Sequence, residues 1–265
     1  MVDSDSALGV TVLGSGSKGN AVVVRKGDDG ILIDAGFSLK ELRRRMTLAN
    51  VPEQCIRAIL ITHEHDDHIK GLRVCAEHFN VPVYTTRKCA DVLRHRDSRL
   101  GQMTLFSPGD MFPLCNFTLC PFPISHDAND PVGFVVYSGN TKVGIATDFG
   151  YVSQVVEYQL QGCSTLVVES NHDLNMLAAS SRPWSLKQRI MSRYGHLCNK
   201  DTGELLERII RPNTQHVILA HLSEECNSRQ LAWQCACRSL EHIDRKDIDL
   251  QIADQNQPLA TVWTE

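Results

Sequence analysis

Short apolar runs rich in β-branched residues recur along this chain, and their order most constrains its fold. They predict strands at residues 8–14, 20–26, 30–36, 58–63, 81–86, 117–124, 133–138, 142–148, 165–170, 216–221 and 249–254. Intervening segments predict helices at residues 38–46, 69–79, 87–96, 153–160, 183–194, 202–210 and 227–243. Hairpin-joined strands come first in each half, and strand–helix alternation follows. This order predicts an α/β fold with two facing mixed sheets between outer helices, a four-layer αββα sandwich.

Composition and length favour one soluble domain. The chain has 265 residues, 42% of them hydrophobic, without an internal repeat or a long Pro/Gly/Ser linker. We therefore expect a single domain over residues 1–265. No apolar run is long enough for a transmembrane helix, and the first ten residues lack the basic and apolar regions of a signal peptide. Ten scattered cysteines without a CxxC pair agree with a cytoplasmic location.

The glycine-rich stretch GSGSKGN at residues 14–20 matches the GxGxxG pattern of dinucleotide-binding folds. That role requires the glycines to begin a helix, whereas here they precede AVVV, a run typical of a strand. A Walker motif is also excluded, because Lys18 is followed by glycine. We expect a loop between adjacent strands. It is either a tight turn or a rim where Ser15, Ser17 and Asn20 contact a phosphate.

Metal-ligating residue types are concentrated in ILITHEHDDHIKG, residues 59–71. A strand ends there, and His63 and His65 point the same way in extended chain because side chains alternate. They can hold one cation, while Asp67 and His68, at the turn into a helix, can reach a second. Imidazole and carboxylate suit Zn²⁺, and less selectively Mn²⁺ or Fe²⁺. Unrelated histidines in a polar loop are disfavoured by this density.

The HxHxDH motif resembles that of the metallo-β-lactamase superfamily, whose fold is the αββα sandwich. Three further residues match ligand positions of that superfamily, each after an apolar strand: His126 in SHD, Asp148 in TDFG and His221 in AHLSEECN. The resemblance implies a dinuclear centre in which Asp148 bridges the two ions. His63, His65 and His126 would hold the first ion, and Asp67, His68 and His221 the second.

Such a centre implies hydrolysis. Two divalent cations lower the pKa of a shared water, which becomes a hydroxide nucleophile, and they neutralise charge on a phosphodiester. Asp67 would orient that hydroxide or take its proton. Glu169 in VVESNHD and His196 in YGHLCN resemble the acid and histidine of superfamily nucleases, where the histidine protonates the leaving oxygen. A His196 satisfied by the backbone is the structural alternative.

The motifs GSGSKGN, THEHDDH, ESNHD, GHLCN and AHLSEECN together are most similar to the WalJ/YycJ group of nucleases. This resemblance implies a metal-dependent DNA exonuclease of 5′-to-3′ polarity. His172 and Asn199 are further candidate substrate contacts, and for His172 a cap on the following segment is the alternative. Cys198 departs from the serine usual in relatives. The short interval between Asp148 and His221 leaves no room for a β-CASP domain.

Two other functions use similar residues. A glyoxalase II-like thioesterase can have the same seven ligands, and a metal-dependent binding module would hold cations without turnover. The formal net charge of -4 argues against binding of nucleic acid through overall charge alone, so binding would need a local basic surface. The segment from Leu174 to Lys200 is basic without an acid, and it contains Trp184 and Tyr194, which can stack on bases. A solvated charged face is the alternative there.

Overall fold

A computed structural model describes residues 7–264. Most of the N-terminal stretch used to predict the compartment, and both ends of the predicted domain, therefore lie outside the described residues. Strands within this range are β1 Leu8–Gly14, β2 Ala21–Lys26, β3 Asp29–Ile33, β4 Ile56–Leu60, β5 Val83–Thr86, β6 Met103–Phe106, β7 Phe112–Leu114, β8 Phe117–Pro123, β9 Val132–Ser138, β10 Thr141–Ala146, β11 Thr165–Glu169, β12 His216–Ala220, β13 Asp249–Ile252 and β14 Val262–Thr264.

Helices lie between the strands. They are α1 Leu39–Leu48, α2 Asp66–Ile69, α3 Leu72–Phe79, α4 Arg87–Arg96, α5 Gln154–Leu160, α6 Leu174–Ala179, α7 Trp184–Ile190, α8 Asn199–Ile209 and α9 Arg229–His242, with a 3₁₀ turn at Glu53–Cys55. Across residues 7–264, each helix is too short or too polar to cross a bilayer.

The strands form two seven-stranded sheets. The order is β14-β1-β2-β3-β4-β5-β6 in the first sheet and β13-β12-β11-β10-β9-β8-β7 in the second. In the first sheet, β1 to β3 pair antiparallel and β3 to β6 pair parallel. In the second, β7 to β10 pair antiparallel and β10 to β13 pair parallel. Hairpins followed by parallel strands in each half confirm the predicted sandwich.

Buried side chains fill three layers of core. Ile31 on β3 packs in the cluster that also contains Phe134 and Ile218 of the second sheet, whereas its neighbour Leu32 packs with Leu42 of α1. Successive side chains of a strand point to opposite faces, so both faces of β3 are covered. Such double burial explains why the strand sequences read as continuous apolar runs.

The differences from prediction lie in short elements and helix ends. The three- or four-residue strands β6, β7 and β14 and the short helix α6 were not predicted, because a few residues carry little periodicity. The predicted helix at 69–79 corresponds to α3, which begins only at Leu72. Ile69 ends the separate short helix α2, and Gly71 between the two helices approaches the carbonyl of Phe37 closely. The helix predicted to reach residue 194 ends at Ile190, and the following turn leads to His196.

Polar residues one or two positions after the ends of three strands adopt left-handed backbone conformations. The φ angle is 62° for Asp34 after β3, 62° for Asp148 after β10 and 56° for His221 after β12. Such angles are uncommon for residues other than glycine and are held only where neighbouring contacts fix them. All three residues lie at the same mouth of the sandwich, where the candidate site is located.

Candidate metal centre

The first cluster consists of His63, His65 and His126, whose ligand atoms lie within 4.8 Å of one another. The Nδ1 atom of His63 is 3.0 Å from the hydroxyl of Thr62, and Nδ1 of His126 is 3.2 Å from the carbonyl of Gly195. These contacts orient both rings. Nε2 of His63 then has no hydrogen-bond partner in the described part of the chain, and Nε2 of His126 lies 3.3 Å from Nδ1 of His65. His63 is fully buried, whereas the side chain of His65 is 30% exposed. The first cluster is therefore an all-imidazole site open on one side.

The second cluster consists of Asp67, His68, Asp148 and His221, again within 4.8 Å. Asp148 faces both histidines: its Oδ2 is 3.3 Å from Nε2 of His68, and its Oδ1 is 3.3 Å from Nε2 of His221. Oδ2 of Asp67 lies 3.5 Å from each of the same two nitrogens. Two carboxylates and two imidazoles thus converge on one small volume.

Carboxylates behind the second cluster orient its histidines. Asp34 Oδ2 is 2.7 Å from Nδ1 of His68, and Glu169 Oε1 is 3.2 Å from Nδ1 of His221. A carboxylate at Nδ1 fixes the ring and makes Nε2 a stronger ligand. Asp34 was not among the predicted site residues. Its signal was nevertheless present, because Asp34 follows the apolar run of β3 as His221 follows that of β12.

Glu169 also contacts His196. Glu169 Oε1 is 2.7 Å from Nδ1 of His196, and its Oε2 accepts a hydrogen bond of 2.8 Å from the amide of Phe149. The carboxylate is fully buried, whereas the His196 side chain is 22% exposed. The His196 ring lies against that of His221, with a centroid distance of 5.2 Å. Asp148, Glu169, His196 and His221 also lie within 4.8 Å of one another, so geometry alone permits a further ligand set.

Electrostatics differ between the two clusters. Burial, followed by the charge of His68, lowers the pKa of His63 well below its usual value, and burial lowers that of His126. Burial also opposes charge on His221, yet Asp148, Asp67 and Glu169 raise its pKa to about 10. His63 and His126 of the first cluster therefore favour the neutral form.

The potential at the second cluster is negative. Burial disfavours charge on His68, but the carboxylates of Asp34, Asp148 and Asp67 raise its pKa well above the usual value. Burial likewise disfavours the carboxylate of Asp148, but His221 and His68 hold its pKa well below its usual range. Carboxylates that hold protons on imidazoles so strongly also favour a cation at the same place.

Unpaired buried atoms test whether cations fit these residues. Among the described residues, eight buried side-chain nitrogen and oxygen atoms have no hydrogen-bond partner, and three of them are Nε2 of His63, Oδ2 of Asp148 and Nε2 of His221. Buried polar atoms are nearly always paired, since an unpaired one is costly. All three atoms belong to residues of the two clusters. Divalent cations would satisfy them, so the donor set fits such ions.

Comparison with known proteins agrees with this geometry. Residues 30–222 match the family profile described as "Beta-lactamase superfamily domain". The chain belongs to the metallo-β-lactamase superfamily. It is 37% identical over 236 residues to the exodeoxyribonuclease YycJ of Bacillus anthracis, covering 88% of this chain and 89% of the relative. It is 31% identical over 268 residues to the exodeoxyribonuclease WalJ of Streptococcus pneumoniae, covering 99% of each.

Solved structures agree on the fold. The metallo-β-lactamase fold protein YhfI from Bacillus subtilis superposes with a TM-score of 0.72, at 17% identity, over 96% of this chain and 99% of that one. At this identity the likeness concerns the fold alone. The predicted superfamily fold is thus confirmed independently of the site residues.

Three of the predicted substrate contacts have partners inside this superfamily domain. Ser15 and Asn20 are buried and bind each other through Ser15 Oγ and Asn20 Oδ1, at 2.9 Å. Asn199 is buried too, and its Oδ1 accepts hydrogen bonds from Ser170 and Asn227. These three side chains therefore point inward, with their polar atoms bound to other residues of the chain.

The other two predicted contacts differ. Ser17 is exposed, and it lines a cavity of about 130 Å³ that also includes His196, Arg182 and Arg189. His172 is buried, and within residues 7–264 neither of its ring nitrogens has a hydrogen-bond partner. Burial lowers the pKa of His172 to about 4, so its ring is neutral.

The basic segment from Leu174 to Lys200 is partly neutralised by partners elsewhere in the chain. Lys187 is buried and donates to the carbonyls of Ala178 and Ser180. Arg182 lies 2.9 Å from Glu225 and Arg189 lies 2.6 Å from Asp127. Trp184 and Tyr194 are exposed at 65% and 63%. The segment thus offers aromatic surface and paired guanidinium groups beside the site.

Proposed function

We propose that this protein is a metal-dependent DNA exonuclease of 5′-to-3′ polarity. The observation that carries the proposal is the Glu169–His196 pair, which lies against the second cluster and opens onto the cavity that Ser17 lines. A buried carboxylate holding a half-buried imidazole beside a candidate dinuclear centre is suited to protonating a leaving oxygen. The relatives named exodeoxyribonuclease support the choice of DNA over RNA.

The proposed ligands follow the two clusters. His63, His65 and His126 would hold one cation, and Asp67, His68 and His221 the other, with Asp148 between them. Zn²⁺ or Mn²⁺ is the proposed ion, and Fe²⁺ is compatible with the same donors. When bound, two such cations lower the pKa of a shared water and neutralise charge on the phosphate oxygens.

The side chains then divide the proton transfers. Asp67, at the partly exposed edge of the second cluster, orients the attacking water or accepts its proton. His196 uses Nδ1 to bind Glu169, so its Nε2 is left to give a proton to the departing oxygen. Burial opposes the charged form of His196, but Glu169 raises its pKa, which keeps a proton on the ring. Glu169 acts through His196 and does not touch the substrate.

Phosphodiester cleavage is favoured over thioester cleavage by the need for this proton. A thiol has a pKa of about 8.5, so a thiolate leaves without protonation, whereas an alkoxide does not. The cavity beside His196 also contains Arg182, Arg189 and the hydroxyls of Ser17 and Ser223, which suit phosphate oxygens. A binding module without turnover would have no use for the Glu169–His196 pair.

We further propose that residues 1–265 form one domain without a β-CASP insertion and that the protein acts in the cytoplasm. Between Asp148 and His221 the chain forms only elements of the sandwich within the described residues, namely α5, β11, α6, α7, α8 and β12. Ser17 is the substrate contact best supported by its exposure. His172, with unpaired ring nitrogens, is the second.

Matched assays test this function. The protein is incubated with single- and double-stranded DNA labelled at the 5′ or the 3′ end, with RNA of the same sequence, and with a glutathione thioester. We expect metal-dependent release of a labelled mononucleotide from 5′-labelled DNA at the earliest times. Faster turnover of the thioester, or no cleavage of either nucleic acid, would contradict the proposal.

A further inference from the structure

The glycine-rich loop of residues 15–20 contacts the second cluster, although the proposed chemistry assigns it no step. The side chain of Asn20 forms two hydrogen bonds within the loop. Asn20 Oδ1 accepts from the amide of Gly16 at 2.9 Å, and Asn20 Nδ2 donates to the carbonyl of Gly16 at 3.1 Å. Gly16 has a φ of 147°, which side-chain-bearing residues rarely adopt. This backbone conformation explains why residue 16 of the motif is glycine. It does not explain the role of Asn20.

Asn20 holds Asp67 in two ways. Its backbone amide donates to the carbonyl of Asp67 at 2.7 Å, and its Nδ2 donates to Asp67 Oδ2 at 3.1 Å. That same carboxylate oxygen faces Nε2 of His68 and Nε2 of His221. The amide therefore fixes both the position of Asp67 and the direction of the oxygen that enters the cluster.

Ser15 holds His221 on the opposite sheet. Its hydroxyl donates to Asn20 Oδ1 at 2.9 Å and accepts from the backbone amide of His221 at 3.0 Å. His221 has a left-handed backbone, so an acceptor for its amide stabilises a conformation that otherwise costs free energy. A chain of hydrogen bonds thus runs from Asp67 through Asn20 and Ser15 to His221, from the first sheet to the second.

We infer that Ser15 and Asn20 are positioning residues that set the separation of Asp67 and His221, and with it the affinity of the second cluster for its cation. The inference rests on the proposed function only in that the cluster binds a cation. Groups that orient metal ligands typically change affinity by about 10–100-fold when removed. The effect should be confined to the second cluster, because neither residue contacts the imidazoles of the first.

Zn²⁺ binding to the metal-free chain, measured in competition with a chromophoric chelator, tests this. Two binding steps are expected, and the step lost in His221→Ala identifies the second cluster. Asn20→Ala should weaken that step by about 10–100-fold and leave the other unchanged. Lys18→Ala is the matched control in the same loop, since Lys18 pairs with Glu224 at the surface, and it should change neither step.

Ser15→Ala provides a milder change, because it removes one oxygen and keeps the contacts of Asn20 with Asp67. It should weaken the same step by a smaller factor, and it decides the test if Asn20→Ala does not fold. Unchanged affinity in both variants would overturn the inference, as would equal weakening of both steps together with a lower Tm. Fewer than two Zn²⁺ on the unaltered chain would overturn it too. If the chain binds two Zn²⁺ but does not cleave DNA, the proposed exonuclease activity is contradicted and this inference still stands.

Discussion

The two clusters differ in charge, in burial and in what supports them. The first contains three imidazoles, is open at His65, and is oriented by a hydroxyl and a main-chain carbonyl. The second contains two carboxylates and two imidazoles, is largely buried, and is oriented by Asp34 and Glu169. The first cluster thus attracts a cation through its imidazole ligands, and the second mainly through the negative charge of its carboxylates.

This contrast indicates which substitutions should weaken each cluster. The second cluster depends on a buried network of carboxylates and amides, so single substitutions outside the ligands can disturb it. The first depends mainly on the short loop after β4 and on His126, and part of its support is backbone that no substitution removes. Asp148 belongs to the second cluster, and we propose that it also serves the first.

Removal of cations should have the largest effect. After treatment with a strong chelator, hydrolysis should fall to background while the far-ultraviolet circular dichroism stays native, because the apolar core holds the sandwich together. Addition of Zn²⁺ or Mn²⁺ should restore the rate. Full activity in protein shown by elemental analysis to lack metal would contradict a role for either cluster.

Asp148→Ala should come next, because Asp148 is proposed to join the two sites. At least one metal and nearly all hydrolysis should be lost, with the fold retained by circular dichroism. Asp110→Ala, at an exposed aspartate, is the control and should keep both metals. Undiminished metal content and activity in Asp148→Ala would remove this residue from the bridge.

His196→Ala separates proton transfer from metal binding. Both metals should remain, and cleavage of DNA should slow by roughly 10²–10⁴, the usual range for loss of a general acid. A p-nitrophenyl phosphodiester, whose leaving group needs no proton, should be affected much less. His95→Ala, at an exposed helix position, should leave both rates unchanged. Equal slowing on both substrates would assign His196 a structural role.

Asp34→Asn should have the smallest effect, and it tests most specifically whether the two clusters are supported separately. Asparagine tolerates the left-handed backbone at this position but removes the charge behind His68. The affinity of the second cluster for Zn²⁺ should fall by about 10–100-fold, as measured by chelator competition. That of the first cluster should fall less, although Asp34 also accepts a hydrogen bond from Thr62, which contacts His63. An equal loss at both clusters would show that the two sites are not supported separately.

The sequence predicted the sandwich and most of the candidate ligands for one reason. Buried strands leave strong periodic signals in the sequence. Residues shortly after several of these strands, such as His126 and His221, lie at one mouth of the sandwich. Asp34 carried the same signal and was missed because its strand also reads as part of the first hairpin. Short strands such as β14, which pairs with β1 from the far end of the chain, leave no local signal.

The glycine-rich loop was harder to interpret from sequence. Ser15 and Asn20 resembled a rim for phosphate, since small polar residues on a glycine backbone suit that role. Their burial depends on Asp67 and His221, which are remote in sequence, so local pattern cannot report it. Ser17, between them, remains exposed.

Anomalous diffraction from crystals of the Zn²⁺-loaded protein tests the central claim most directly. We expect two peaks about 3.5–4 Å apart, one among His63, His65 and His126 and the other beside His68 and His221, with Asp148 between them. A single peak, or peaks away from these side chains, would contradict a paired-cation centre and the chemistry proposed for it.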